Sequence, residues 1–347
     1  MITKNEMAKS KKKVLLGMSG GVDSTVAAYL LQKDGYEVVG ITLNMLGCKE
    51  ESYKEVKALC KTLGIEHISM DLKQDFDENI VKYFVTEYLN GRTPNPCVLC
   101  NKEFKFEKML SKADELGIEY VATGHYVRLE KKDNRYILKK GKDLGKDQSY
   151  VLYKLSQEQL SRCIFPLGDY KKEDIRGIAE ELGLSNAKKE DSQDICFVEN
   201  NDYTTLIPQT DTKEGDIVDK KGNILGQHSG IHNYTLGQRK GIGISSNKAL
   251  YVISLDVENN RVVVGKEKDI YSRKLIAKDV NWIMNPHKRM IAKVRIRYHS
   301  NEAWAYVSAL GEERVKVKFL KAQRAVTPGQ SVVFYQGDYV VGGGTIE

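Results

Sequence analysis

The chain has 347 residues, 41% of them hydrophobic and 29% charged, which suits two or three globular domains and excludes a disordered or collagen-like protein. No stretch of about 18 uncharged apolar residues occurs, so the sequence predicts no membrane-spanning helix. The basic start MITKNEMAKSKKK is followed by an apolar run that Gly20, Gly21 and Asp23 interrupt. This pattern is not a secretory signal, and we expect a cytoplasmic protein.

The net charge of +7 is concentrated at one end of the chain. From Arg273 onward there are 13 Lys and Arg against 6 Asp and Glu, so the preceding residues balance to zero. A neutral body with a basic tail is typical of a domain that binds a polyanion. A solvated surface with a chance imbalance is the alternative.

The first part of the sequence alternates strands and helices. This pattern predicts an open parallel sheet with helices on both faces, and therefore an α/β domain. The predicted strands are 14–18, 38–43, 67–72 and 120–126, and the predicted helices are 24–33, 53–63, 76–89, 102–116, 156–162 and 171–182. Residues 129–150 are charged and glycine-rich, which predicts a hairpin or a mobile loop.

From about Asp216 the pattern changes to short alternating runs separated by turn sequences such as KKGN and VENN. The segments 251–257 and 261–265 predict a hairpin. The last 75 residues predict a small β-barrel or sandwich. We therefore predict three domains, at 10–205, 206–272 and 273–347.

The strongest local motif is GMSGGVDST (17–25), directly between the first predicted strand and the first helix. Glycines allow a tight turn whose N–H groups, with the helix N-terminus behind them, bind an anion. Asp23 could hold Mg²⁺. The motif lacks the Gly-Lys-Ser/Thr of the Walker loop and resembles the PP-loop of ATP pyrophosphatases, whose substrates attack the α-phosphorus of ATP.

The segment TPNPCVLCN (93–101) places Cys97 and Cys100 at Cys-x-x-Cys spacing in a proline-containing loop. Such a pair could be redox partners, half of a zinc site, a presented nucleophile or two ordinary loop thiols. No second cysteine pair is present to complete a zinc site. Cys100 precedes a predicted helix start, so we expect helix dipoles to lower its pKa.

The remaining cysteines differ in their surroundings. Cys196 follows acidic and polar residues in KKEDSQDICFVEN, a stretch without helical periodicity. We expect Cys48, Cys60 and Cys163 to be small buried hydrophobic residues. With six cysteines, all before residue 197, we expect thiols rather than a disulfide framework.

Two further segments carry candidate binding residues. Gly124 and His125 lie at the end of a predicted strand, where doubly wound sheets bind ligands. In RIRYHS (295–300), strand alternation would place Arg295, Arg297 and His299 on one face. Basic and aromatic residues together suit contact with RNA phosphates and bases.

Taken together, the chain closely resembles the tRNA-specific 2-thiouridylases, the MnmA/TrmU family. The resemblance extends from Val14 to the C-terminus. Its motifs occur in order as SGGVDS (19–24), GRTPNPCVLCNKEFKF (91–106), ATGHY (122–126), KDQSYVLY (146–153), SQDICFV (192–198), YTLGQRKGIGI (234–244) and PGQSVVFYQGD (328–338). It implies a PP-loop domain, a small central β domain and a tRNA-binding C-terminal β-barrel.

The resemblance implies ATP-dependent replacement of the C2 oxygen of the wobble uridine by sulfur. ATP, with Mg²⁺, would adenylate that oxygen, and a persulfide donor protein would supply the sulfur. Cys196 resembles the persulfide carrier and Cys100 the nucleophile, and a transient disulfide would join them. Whether the persulfide attacks C2 directly or Cys100 first releases hydrosulfide stays open.

The resemblance also assigns binding positions. The implied ATP contacts are Gly17, Met18, Ser19, Gly20, Gly21, Val22, Asp23, Ser24, Leu43 and Gly124. The implied target-base loop is Asn95, Pro96 and Cys97, and the implied tRNA contacts are His125, Lys146, Asp147, Gln148, Arg297, Tyr298 and Gln330. Some family members have Asp at the position of Cys97, so the acid–base residue stays open.

Two other functions compete with this one. Another PP-loop enzyme, such as an amide-forming synthetase or argininosuccinate synthase, would need neither the cysteine pair nor a basic barrel. A non-catalytic RNA-binding protein would not need an intact SGGVDS motif.

Overall fold

The computed structural model describes residues 11–47, 50–187, 189, 195–285 and 288–347; Cys48 lies outside them. Its strands, in chain order, are β1 (Lys13–Gly17), β2 (Glu37–Asn44), β3 (Glu66–Asp71), β4 (Tyr120–Ala122), β5 (Val127–Lys132), β6 (Arg135–Lys140), β7 (Cys163–Ile164), β8 (Gly215–Val218), β9 (Ile224–His228), β10 (Tyr251–Asp256), β11 (Arg261–Gly265), β12 (Tyr271–Trp282), β13 (Arg289–Arg295), β14 (Ala303–Ala309), β15 (Val315–Arg324), β16 (Ser331–Gln336) and β17 (Tyr339–Ile346).

The helices flank the first sheet. They are Val22–Lys33, Glu50–Leu63, Lys73–Phe76, Lys82–Leu89, Pro96–Cys100, Glu107–Glu115, Ser149–Leu152, Gln157–Ser161 and Lys172–Glu181. Two π-helical segments, Asp77–Val81 and Asn101–Phe106, join neighbouring helices into continuous ones. The second of these continuous helices begins at Pro96, because the fixed φ and missing N–H of proline suit a first turn. The helix predicted from residue 102 therefore begins six residues earlier, and Cys97 and Cys100, predicted to lie in a loop, are helical.

The N-terminal sheet is parallel, in the order β3-β2-β1-β4-β7, which confirms the predicted α/β domain. Val14, Leu15 and Leu16 of the central strand are fully buried, as expected for a strand that is covered on both faces. Strands β2 and β3 lie on one side of β1, and β4 and β7 lie on its other side. This reversal of strand order creates a crevice at the carboxyl ends of β1 and β4.

The fourth strand is shorter than predicted. It ends at Ala122 rather than residue 126 because the chain turns, with the Val127 N–H donating to the His125 carbonyl at 3.1 Å. The charged segment after it is a hairpin of β5 and β6, whose turn residues Asp133 and Asn134 have positive φ. Strand β6 pairs with β17, so this hairpin of the first domain extends the C-terminal sheet.

The second half of the chain is built from antiparallel and mixed sheets. Strands β10-β11-β8-β9 form the central sheet, with Ile217, Val252 and Val262 in its core. Strands β12-β15-β14-β13-β16-β17 form a second sheet, and pairing of β17 with β12 closes it into a six-stranded barrel. Closure confirms a barrel rather than a sandwich.

The alternation predicted for residues 295–300 is wrong. Strand β13 ends at Arg295, and the N–H groups of Ile296 and Arg297 donate to the Ser300 hydroxyl in a turn. The serine side chain therefore replaces the strand's hydrogen bonds, and no strand face is formed by Arg295, Arg297 and His299.

Within the described ranges, no helix is long and apolar enough to cross a membrane.

Candidate active site

The glycine-rich segment forms a tight turn between β1 and the helix Val22–Lys33. The Ser24 hydroxyl donates to the Gly21 carbonyl at 3.1 Å and accepts from the Ser19 N–H at 3.3 Å. Gly20 has a φ of +75°, which L side chains rarely adopt. The first N–H groups of this twelve-residue helix have no intrahelical partners, so the turn is suited to bind an anion.

Gly124 lies against this turn from the end of β4. A Cβ atom at Gly124 would lie 3.1 Å from the Ser24 nitrogen and from the Asp23 carbonyl carbon. Any side chain there would separate β4 from the start of the helix. At the neighbouring strand end, the Thr42 hydroxyl donates to the Met18 carbonyl at 3.0 Å, and Leu43 follows it. The implied ATP contacts therefore all lie at one edge of the sheet.

Asp23 is engaged by two side chains that the sequence did not identify. Lys172 Nζ lies 2.8 and 2.9 Å from its two carboxylate oxygens, and the Tyr126 hydroxyl donates to Oδ1 at 2.6 Å. Lys172 starts a helix 149 positions downstream, and its side chain is only 9% exposed. No local pattern marks this lysine, because only the fold brings it to the glycine-rich turn.

The two cysteines of the Cys-x-x-Cys segment occupy different positions in one continuous helix. Cys97 lies in the first turn after Pro96, whereas Cys100 lies inside the helix, which continues through Asn101–Phe106. The expectation that a helix start lowers the pKa of Cys100 is therefore wrong. Burial dominates instead and raises the pKa of the Cys100 thiol to about 11.

Phe197 holds the Cys196 segment against the helical segment 73–89, which packs beside the helix of Cys100. Its ring packs edge-on against Phe76 and Phe84, with centroids 5.6 and 5.2 Å apart. Phe76 in turn packs against Phe104, in the same cluster as Cys100. Leu43 also contacts that cluster, so the thiols adjoin the candidate ATP edge. Apolar packing thus brings together two cysteines from distant segments of the chain.

The three thiols share one electrostatic environment. Burial raises the pKa of Cys97, Cys100 and Cys196, and the ammonium of Lys105 lowers each of them. A negative charge on Cys196 raises the pKa of both other thiols. Sequence reasoning missed Lys105, although a lysine within ten residues of a candidate nucleophile was a usable signal.

The candidate metal ligands among the described residues do not form a cluster. Among the residues that the structure describes, no three His, Cys, Asp or Glu side chains are placed to hold a metal ion. The cysteine pair therefore has no partners for a zinc site there. The candidate protein ligand for Mg²⁺ is Asp23, whose carboxylate oxygens are hydrogen-bonded to Lys172 and Tyr126. A single carboxylate does not fill the octahedral coordination of Mg²⁺, so the ion would fit here only with phosphate oxygens as most of its ligands.

Two of the implied tRNA contacts are buried. Asp147 is 4% exposed and accepts from the N–H groups of Gly141 and Ser149, while burial raises its pKa. His125 is also buried, and its Nδ1 shares a 2.7 Å hydrogen bond with the Thr123 hydroxyl. Burial, followed by the charge of Lys105, lowers the pKa of His125 well below its usual value. Direct contact with tRNA would require their surroundings to move.

The other implied contacts are partly exposed and are held by specific hydrogen bonds. Lys146 and Gln148 flank the buried Asp147, and the Gln148 side chain accepts from the Tyr126 N–H at 3.0 Å. Arg297 donates to the Ala325 carbonyl, and the Tyr298 hydroxyl donates to the Asp147 carbonyl. Gln330 donates to the loop that precedes Pro96.

The barrel also presents a basic and aromatic outer surface. Lys318 lies directly opposite Lys274 across two neighbouring strands. We give the name basic barrel face to a set of outward positions on β12 to β15, which are Lys274, Ile276, Arg289, Ile291, Lys293, Trp304, Tyr306, Ser308, Lys316, Lys318 and Leu320. This set contains no acidic side chain, although Asp279 of β12 is exposed outside it. Trp304 is 52% exposed and Tyr306 48%.

Comparisons with known proteins match nearly the whole chain. Residues 12–200 match a family described as the tRNA methyl transferase HUP domain, residues 204–266 its PRC-barrel domain, and residues 272–346 an aminomethyltransferase beta-barrel domain.

Individual relatives are similar over their full length. A tRNA-specific 2-thiouridylase MnmA 2 of Thermoanaerobacter sp. (strain X514) is 51% identical, covering 96% of this chain and 98% of the relative. The MnmA proteins of Acetivibrio thermocellus and Clostridium kluyveri are 49% and 48% identical, each over 97% of this chain and over 100% and 99% of the relative. The chain therefore belongs to the tRNA-specific 2-thiouridylase MnmA family.

Proposed function

We propose that this protein transfers sulfur to the C2 position of the wobble uridine of tRNA, using ATP to activate the C2 oxygen. The observation that carries the proposal is the joining of two features at one edge of the sheet. One is the anion-binding turn at Ser19–Ser24. The other is Cys100, which belongs to the apolar cluster that Leu43 and Phe197 contact, and Cys196, next to Phe197, lies near enough to act electrostatically on the Cys100 thiol.

The first step is adenylation. The phosphates of ATP bind at the turn and the helix N-terminus, and the C2 oxygen of uridine attacks the α-phosphorus, so that pyrophosphate leaves. Mg²⁺ bound to the triphosphate would neutralise part of its charge. Asp23 would be the protein carboxylate that holds that ion, and its ion pair with Lys172 would have to open for it to do so.

The second step is sulfur transfer. A persulfide donor protein, such as a cysteine desulfurase or a sulfur relay protein, passes a sulfur atom to Cys196, a residue that is exposed at the surface although surrounding protein atoms partly desolvate its thiol. The terminal sulfur of the persulfide bonds to C2, AMP leaves with the former C2 oxygen, and the Cys100 thiolate attacks the Cys196 sulfur to break the persulfide S–S bond. If Cys100 attacks first, hydrosulfide adds to C2 instead. Both routes end in a Cys100–Cys196 disulfide, which an external thiol must reduce.

Cys97 lies in the proposed base-receiving loop, where some relatives carry Asp. Burial raises the pKa of its thiol, so Cys97 is protonated at neutral pH. In this state the side chain can donate a proton to the departing AMP oxygen, but it is a poor general base.

The basic barrel face fits the polyanionic partner. Lys318 and Lys274 lie opposite each other, an arrangement that lowers stability unless an anion is bound. Exposed Trp304 and Tyr306 add flat surfaces on which bases or riboses can stack. We place the tRNA body against this face.

Methyl transfer, which the HUP-domain description names, is the second candidate. It would use neither a triphosphate-binding turn nor a pair of thiols from distant segments. The chemistry of the site therefore favours sulfur transfer.

Single-cysteine variants test the assignment. Cys196→Ser should accept no sulfur from a persulfide donor, whereas Cys100→Ser should still become persulfidated on Cys196 but produce no thiolated tRNA. Cys163→Ser is the matched control and should retain turnover, because Cys163 is buried and its thiol donates to the Gln159 carbonyl at 3.0 Å. Intact-mass and peptide mass spectrometry would follow the sulfur. Thiolation by Cys196→Ser would remove the two-cysteine mechanism.

A further inference from the structure

The loop that precedes the candidate nucleophiles is held by the C-terminal barrel. The Thr93 N–H donates to the Pro328 carbonyl at 2.9 Å. The Gln330 side chain donates to the Thr93 carbonyl at 2.8 Å and to the Pro94 carbonyl at 3.3 Å. We name Pro328, Gly329 and Gln330 the barrel clamp. Its hydrogen bonds connect segments that are far apart in the chain, with Gln330 lying 237 positions after Thr93.

The contact is close enough to require glycine. Gly329 has a φ of +89°, and a Cβ atom there would lie 3.0 to 3.1 Å from the backbone N, C and O of Thr93. The two backbones therefore lie against each other without an intervening side chain, and displacement of one requires displacement of the other.

The barrel clamp is itself fixed within the barrel. The Gly329 N–H donates to the Ile346 carbonyl at 2.9 Å, and the Ile346 N–H donates to the Gln330 carbonyl at 2.8 Å. Arg297 secures the preceding segment by donating to the Ala325 carbonyl and the Thr327 hydroxyl. The last strand of the barrel thus supports the turn that holds the loop.

The central domain supports the other side of the same loop. A Cβ atom at Gly91 would lie 2.8 Å from a methyl carbon of Val257, and the Thr93 hydroxyl lies 3.5 Å from that of Thr235. Residues 91–95 are therefore held at the junction of all three parts of the chain, immediately before Pro96 and Cys97.

We propose that the barrel clamp is a positioning device for the base-receiving loop, and that Gln330 is a positioning residue that acts through the Thr93 and Pro94 carbonyls. This proposal rests on the proposed function for the identity of the loop. Its consequence is that the barrel contributes to catalysis even without touching the reacting atoms, because loop misplacement of about 1 Å can cost about 100-fold in rate.

Variants of the clamp separate positioning from direct RNA contact. Gln330→Ala removes both side-chain hydrogen bonds, and Gly329→Ala displaces the Thr93 backbone. Gln323→Ala is the matched control, because the Gln323 amide lies on the barrel and donates to the Lys321 carbonyl. Hydrogen exchange of a peptide spanning 92–98 is measured in the free protein, without tRNA or ATP. Turnover number and KM for tRNA are measured separately.

For Gln330→Ala we expect faster exchange in 92–98, a turnover number about 10- to 100-fold lower and a nearly unchanged KM for tRNA. Gly329→Ala should do the same, and Gln323→Ala should match wild type. Unchanged exchange with a raised KM would identify Gln330 as a direct tRNA contact and overturn the proposal, as would unchanged exchange and turnover. If the wild-type protein thiolates no tRNA, the proposed function is wrong. Hydrogen exchange of the 92–98 peptide, which needs no tRNA, still tests whether the barrel clamp holds the loop.

Discussion

At the scale of single residues, the candidate nucleophiles are controlled by two opposing effects. Burial raises the pKa of Cys97, Cys100 and Cys196, and the Lys105 ammonium lowers it. The burial effect is larger, so all three are mostly thiols in the free protein at neutral pH. Thiols react more slowly with oxidants than thiolates do, so the free protein should be less sensitive to oxidation at these positions.

The opposing effects of burial and Lys105 on the thiol pKa values predict how the alkylation rate of the cysteines depends on pH. Because the thiolate is the reactive form and the pKa of Cys100 is about 11, its alkylation rate should rise about tenfold per pH unit between pH 7 and 9. Lys105→Met should lower that rate at each pH, since the thiolates would no longer be stabilised by a nearby cation. Peptide-resolved iodoacetamide labelling gives the rates of Cys97, Cys100 and Cys196 separately.

Lys112→Met is the control for Lys105, because Lys112 lies on the same continuous helix and pairs with Glu115. It should leave the three labelling rates unchanged. Equal rates in Lys105→Met and wild type would show that the lysine does not act on the thiols.

The role of a residue in the site could be predicted from sequence where the residue lies within a recognisable motif. It could not be predicted where the fold brings the residue in from a distant segment. SGGVDS is recognisable as an anion-binding turn from chemistry and position, whereas the roles of Cys100 and Cys196 follow only from the family resemblance. Lys172 and Tyr126 reach Asp23 only through tertiary packing, and no local pattern reveals them. His125 and Asp147 fit the family's tRNA-contact positions, yet in this structure both are buried and hydrogen-bonded.

At the scale of elements, the inward side chains of the barrel strands stabilise the fold, whereas two like charges on the outer face destabilise it. Inward residues such as Val307, Val317 and Phe334 are buried, whereas the outward row places Lys318 opposite Lys274. Directly opposed like charges destabilise a sheet by about 0.2 to 1 kcal/mol. Retaining both lysines is understandable if an anion binds there.

The substitution Lys318→Glu should therefore separate stability from binding. It replaces a repulsive pair by an attractive one, so the free energy of unfolding should rise by about 0.5 kcal/mol. Affinity for tRNA should fall, and the slope of log K against log salt should decrease by about one for each phosphate that the variant no longer neutralises. Thermal unfolding and tRNA titrations at several salt concentrations measure the two effects.

Lys132→Glu is the matched control, because Lys132 lies directly opposite Arg135 near the tip of the β5–β6 hairpin. It should raise stability similarly and leave tRNA affinity near the wild-type value. Unchanged affinity and salt slope in Lys318→Glu would mean that the basic barrel face does not hold tRNA.

The sequence predicted strands correctly where the pattern of hydrophobic residues was regular. It failed where a side chain took the place of a backbone hydrogen-bond partner. The buried run 14–18 and the alternating runs of the barrel correspond to strands. The strand predicted through residue 300 ends at Arg295 because the Ser300 hydroxyl accepts from two backbone N–H groups. The closure of the barrel by β17 and β12 depends on long-range pairing, which local patterns do not encode.

At the scale of the whole molecule, the three parts of the chain converge on one short loop. The first domain supplies the thiols and the anion-binding turn, the central domain supports Gly91 and Thr93, and the barrel clamp fixes Thr93 and Pro94. The barrel that carries the basic barrel face therefore also contacts the loop where the base would be received. The first domain alone would not identify the substrate, because the parts that we propose bind tRNA lie in the barrel.

The family membership separates this chain from other PP-loop enzymes. An amide-forming synthetase would release pyrophosphate with a small amino acid or ammonia and without tRNA. The paired thiols and the basic barrel face have no role in that chemistry. The proposed sulfur transfer would use the thiols for chemistry and the basic barrel face for tRNA binding.

The most direct test of the central claim is mass spectrometry of nucleosides from tRNA incubated with the protein, ATP, Mg²⁺ and a persulfide source. We predict one sulfur-for-oxygen exchange at a uridine in the anticodon, dependent on ATP and accompanied by AMP and pyrophosphate, and absent with Cys196→Ser. Thiolated uridine that forms without ATP, or persists in Cys196→Ser, would contradict this prediction, and so would tRNA that remains free of sulfur while pyrophosphate is released.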